Sequence, residues 1–118
     1  MIDKAGIESI LGRENLTEYR WINPKDIVVA QWVRVKCYFG CGDLGLAVCP
    51  PNTPSVAECD RFFKEYNNGL IFGFSKFADK NEYPTDWSKE ITNKLIRIET
   101  ELFLSGYYKA FLLNQATC

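Results

Sequence analysis

Histidine is absent from this chain. A Ser-His-Asp triad, a Cys-His pair, a His-ligated zinc site and a blue-copper centre all need imidazole and are excluded with it. A basic block or stripe is also lacking. Lysine and arginine number 14 against 15 acidic residues, mixed along the chain, for a net charge of −1. Nucleic acid and an anionic membrane are therefore not expected as partners. Any apolar run long enough to span a bilayer is missing. The first residues, with Asp3, Lys4 and Glu8, do not read as a signal peptide, so a cytoplasmic protein is expected. No two carboxylates stand at a spacing suited to general acid–base work.

What is present suits a packed domain. Apolar residues make up 47% of 118 positions, enough for one core in a single domain over 1–118 and too many for disorder. There are five cysteines. An odd count in a reducing compartment does not read as a disulfide framework. Metal ligation and plain burial remain as roles for the thiols.

Helical and extended patterns alternate. Asp3 to Leu11 is weakly helical, with Ile7, Ile10 and Leu11 on one side and Gly12 as a stop. Tyr19 to Ile22 reads as a short strand, followed by a turn at Asn23 and Pro24. From Ile27 to Tyr38, Val33, Val35 and Cys37 alternate with Arg34, Lys36 and Tyr38, the period of a half-buried strand. Ser55 and Glu58 fit a capping box, and Val56, Cys59, Phe63 and Tyr66 recur at helical spacing behind it. Leu70 to Phe77 reads as a buried strand. Trp87, Ile91, Leu95, Ile98 and Leu102 form the stripe of a long helix capped by Thr85 or Asp86 and terminated at Gly106. Tyr107 to Leu113 reads as a last strand.

This order predicts an α/β fold, in two or three layers, with a mainly parallel sheet of three to five strands and two main crossover helices. Val33, Val35, Leu70, Phe72, Phe74, Phe111 and Leu112 are then expected in the sheet. Sites in such folds gather at the C-terminal ends of strands, which would place Cys37 and Cys118 on one edge.

The segment most informative about chemistry is Cys37-Tyr38-Phe39-Gly40-Cys41, continuing to Cys49-Pro50-Pro51. Thiolates are soft ligands that suit zinc or an iron–sulfur cluster. A glycine-rich loop lets several sulfurs converge, and a Cys-Pro step also ends ferredoxin cluster loops, although the spacing here differs. Three thiolates leave a tetrahedral site one ligand short. Cys118, Asp43, water, a substrate or a partner could each supply the fourth. Cys59, mid-helix beside Phe63, reads instead as a core residue. Arg34, Lys36 and Lys109 read as exposed charges.

The runs VRVKCYFGCGDLGLAVCPPNTPSVAECDRFFKEY and LIRIETELFLSGYYKAFLL resemble an uncharacterised family of predicted metal-binding proteins found mainly in anaerobic prokaryotes. The resemblance extends from about Tyr19 onward. It implies that Cys37, Cys41 and Cys49 carry the family's N-terminal motif, and Cys59 matches one branch of the family. It also implies that Cys118 is the first cysteine of a second, ferredoxin-like cluster, before which this chain is cut short. The reading that follows is an iron–sulfur redox or electron-transfer accessory protein on Cys37, Cys41, Cys49 and Cys118, with a redox partner protein. A homodimer would cover apolar surface near the loop. The alternative is a zinc-stapled interaction module without catalysis, and an enzyme with an open metal position ranks third.

Overall fold

The computed structural model describes residues 2–79, 81, 82 and 84–113. The chain divides into two compact units, one of residues 1–19 with 73–118 and the other of residues 20–72.

The first unit is built on two helices. Helix α1 covers Lys4–Arg13 and begins where the Asp3 carboxylate accepts a bond from the Gly6 N–H at 3.0 Å. Its end is set by Asn15 rather than Gly12. Asn15 adopts a left-handed φ of 58°. The Leu16 N–H then reaches the Leu11 carbonyl and the Asn15 N–H reaches Gly12, both at 3.0 Å. These are the two bonds of a Schellman ending. Helix α4 covers Thr85–Leu104, with Pro84 at its N-cap position in place of a side-chain cap. It closes the same way, with Gly106 at φ 101°, the Tyr107 N–H on Leu102 and the Gly106 N–H on Phe103. Ile7, Ile10, Leu11 and Leu16 bury with Leu95 and Ile98 of α4. Around this core the Arg97 guanidinium grips the Glu14 carboxylate through Nε and Nη2 at 3.0 and 3.1 Å. Those bonds hold the Glu14 carboxyl below its ordinary value.

The second unit begins with strand β1, Tyr19–Ile22, whose first residue belongs to the other unit, and a 3-10 turn at Pro24–Asp26. Helix α2, Gln31–Tyr38, follows. A loop leads to helix α3, Val56–Lys64, which packs on the 3-10 turn, and strand β2, Gly69–Phe72, completes the unit. Strands β1 and β2 pair antiparallel. Gly69 permits their close approach to the turn, since a Cβ there would lie 3.1 Å from Pro24 and 3.2 Å from Ile22.

The expected α/β fold is corrected by this architecture. Among the described residues there are four α-helices and one two-stranded antiparallel sheet, not a parallel sheet of three to five strands joined by crossover helices. Two expected strands are something else. Gln31–Tyr38, inside the span expected to be extended, is helix α2, and Val33 and Val35 are 51% and 42% exposed. Residues 107–113 form no strand. Ala110 closes a turn on the Tyr107 carbonyl, and the Leu112 N–H donates to the Glu99 carboxylate at 2.6 Å. The Leu70–Phe77 strand shortens to β2, and Leu70, Phe72 and Phe74 are half-buried. Backbone bonding explains these departures. A helix satisfies its own N–H and C=O groups, whereas a strand needs a neighbour to do so.

No helix among the described residues is long and apolar enough to cross a membrane.

Two outcomes test the first unit. Leu11 is fully buried, so Leu11→Ala should lower the unfolding free energy by about 3 kcal/mol in urea denaturation. A loss under about 1 kcal/mol would contradict the α1–α4 core. Because the folded carboxyl of Glu14 is the stronger acid, its contribution is fully present above the ordinary value of 4.5 and is lost as pH falls through the lowered one. Glu14→Gln should therefore flatten the decline of melting temperature on acidification.

Candidate metal centre

Cys37 lies in the last turn of α2. Of the eight residues in that helix, Arg34 and Cys37 are half-buried and the others are exposed. Being three apart, they share one face, and that face is the covered one. The Cys37 thiol donates to the Val33 carbonyl one turn back, at 3.7 Å. On the exposed side, the Lys36 ammonium lies 5.1 Å from the Trp32 ring centroid, a cation–π contact at helical spacing that a strand would not offer.

Phe39 ends the helix, and the chain enters a succession of turns. Leu44 bonds back to Cys41, Leu46 to Asp43, Cys49 to Leu46 and Asn52 to Cys49, while the Gly45 N–H crosses to Pro50 at 2.8 Å. Gly45 has a φ of 94°, a conformation that disfavours any side chain. The Asn52 amide donates to the Gly45 and Leu46 carbonyls, each at 3.1 Å. One side chain thus serves two carbonyls that no ladder reaches. The Pro50–Pro51 peptide is cis.

The loop is closed at its base. Arg34 donates through Nη1 to the Thr53 hydroxyl at 3.3 Å and through Nη2 to the Pro54 carbonyl at 2.7 Å. Helix α3 starts immediately afterwards with the expected capping box. The Ser55 hydroxyl accepts from the Glu58 N–H at 3.1 Å, and the Glu58 carboxylate accepts from the Ser55 N–H at 3.4 Å. Hydrogen bonding from the Ser55 side chain, and secondarily from its backbone N–H, holds the Glu58 carboxyl below its ordinary value. Cys59 lies in the first turns of α3, with its thiol 3.9 Å from the Pro54 carbonyl. It was expected in a core. The structure leaves it half-buried with Val56, Phe63 and Tyr66, and no residue of α3 is buried.

The site residues read from the sequence are placed as follows. Cys37 and Cys49 are half-buried and Cys41 is exposed. Cys118 lies outside the described residues. No three Cys, Asp or Glu side chains among the described residues stand together in an arrangement that could hold a metal ion. The donor chemistry nevertheless fits a soft metal, since the segment supplies thiols and the chain contains no imidazole. Apolar side chains are exposed along the same stretch of chain, among them Trp32, Phe39, Leu46 and Val48, the last 82% exposed. Arg34 and Asn52 were not expected to matter. Their positions gave no motif, and their roles come from carbonyls left open by an irregular backbone.

A thiol-bearing, turn-built loop closed between two helices defines the class: a cysteine-rich protein with the ligand chemistry of a metal site. The chain belongs to the DUF2284 family of predicted metal-binding proteins, whose model matches residues 20–118. No curated protein and no solved structure matches it.

The clamp at the loop base can be tested directly. Arg34→Ala should raise hydrogen–deuterium exchange over residues 39–54 and leave α1 and α4 unchanged. Unaltered exchange in that span would mean the guanidinium does not hold the loop.

Proposed function

We propose that Cys37, Cys41 and Cys49 bind an iron–sulfur cluster and that the protein is a redox or electron-transfer accessory. The observation that carries this reading is the loop itself: three thiols within one short, clamped segment of a chain that belongs to a family of predicted metal-binding proteins. Bound there, a cluster would supply one-electron transfer.

The thiols must be drawn together for this, and the energies allow it. The turn bonds of the loop contribute about 1 kcal/mol net apiece. Thiolate binding of a structural metal in small peptides releases about 10–16 kcal/mol. The turns can therefore yield while the helices on either side stay formed. Phe39, Leu46 and Val48, exposed in the present arrangement, would then exclude water from the sulfurs, which tunes a cluster's potential. The remaining apolar surface suits a redox partner protein, with a second copy of the chain as the other occupant. Five thiols fit a reducing cytoplasm.

Anaerobic reconstitution decides the metal. With iron and sulfide the chain should take up both and gain visible absorption that bleaches on reduction, and Cys41→Ser should lose most of it. A colourless chain that retains zinc instead would establish the zinc-stapled module. Metal content unchanged across Cys37→Ser, Cys41→Ser and Cys49→Ser would overturn both.

A further inference from the structure

We propose that the end of α4 and the segment after it form the surface on which a second copy of the chain docks. Residues 107–113 are fastened to the helix. The Tyr107 N–H bonds to the Leu102 carbonyl at 3.0 Å, and the Leu112 N–H reaches the Glu99 carboxylate at 2.6 Å. The Tyr107 hydroxyl also accepts from the N–H of Asp3, the N-cap of α1, at 3.2 Å. These contacts all lie within one unit. They fold the segment back along the last turns of α4 as a strap.

The strap has a covered side and an open one. Tyr107, Ala110 and Leu112 are half-buried, while Tyr108, Phe111 and Leu113 are exposed. Phe103, four residues on from Glu99, shares the side of α4 that anchors the strap and is exposed as well. An unfastened segment could turn its apolar side chains onto the helix. This one is fastened with them outward. The order is in place before a partner arrives, which lowers the cost of binding.

Area and charge select a second copy as the occupant. A standard interface takes about 800 Å² from each partner, a little over half of it apolar. Phe103, Tyr108, Phe111 and Leu113 are 59–75% exposed and present roughly 500 Å² between them, which meets the apolar share. Residues 102–113 contain a single charge, Lys109. A foreign partner is commonly selected and steered by complementary charge, which this face lacks. A two-fold interface sets the same patch of both copies together. Like charges would then meet, so a face nearly free of charge suits it.

Sedimentation equilibrium of the full chain under reductant, across about 1–100 µM, tests this. The chain should pass from monomer to dimer within that range. Phe111→Asp and Tyr108→Asp each bring a carboxylate to the face from both copies and should weaken the dimer by about tenfold or more. Both positions are exposed, so helix content by circular dichroism should match the parent. If Phe111→Asp loses helix, Tyr108→Asp decides. Phe39→Asp, in the other unit, should leave the dimer unchanged. A chain that stays monomeric throughout would overturn the inference. So would a dimer that Phe39→Asp disrupts and that Phe111→Asp and Tyr108→Asp leave intact. The measurement uses no metal, so its failure leaves the reading of the thiols standing.

Discussion

The backbone between α2 and α3 has no ladder to define it, so its shape depends on how its ends are held. Arg34 holds them. Its planar guanidinium offers several donors in a fixed fork, and two of its nitrogens reach Thr53 and Pro54. A lysine could not make both bonds with the same constraint. With the base closed, the interior needs only short-range turns and the Asn52 amide to account for its carbonyls. The thiols of Cys41 and Cys49 are carried on that framework, and Cys37 sits one turn along α2 from the clamp.

This division of labour suits a metal-binding segment. The two flanking helices are defined by local bonds, since α2 satisfies its own backbone and α3 is started by its capping box. The loop between them is held by weaker turns. On the proposed reading, Cys37 on α2 would stay in place while Cys41 and Cys49 on the loop close around a metal, whose binding energy exceeds that of the turns it displaces. The apolar side chains about the loop would be costly ornaments on an inert surface, but they suit one that shields sulfur or meets a partner.

The features legible from sequence were mainly those with local causes. The capping box at Ser55 and Glu58, the strand at Tyr19–Ile22, the turn at Pro24, the stripe of α4 and its stop at Gly106 all appear as read. The capping box, the turn and the helix stop rest on bonds within a few residues of the chain, whereas the strand pairs with β2 and the α4 stripe packs on α1. The family was legible from the cysteine segment and the run around Tyr107–Ala110, and the chain does belong to the family of predicted metal-binding proteins it resembles.

Residues 31–38 and 107–113 show where local pattern stops being sufficient. The alternation of Val33, Val35 and Cys37 meets the period of a strand, but a strand exists only if another strand pairs with it. Here Gln31–Tyr38 forms a helix instead. The apolar run after Gly106 also lacks a partner strand and turns back to the Glu99 carboxylate. The side chains open to a soft metal were thus limited by composition, through five thiols and no imidazole. How the loop that carries Cys41 and Cys49 is closed depended on Arg34 reaching a carbonyl twenty positions away. Neither residue's neighbours in sequence could announce that contact, because it forms only once both helices are in place.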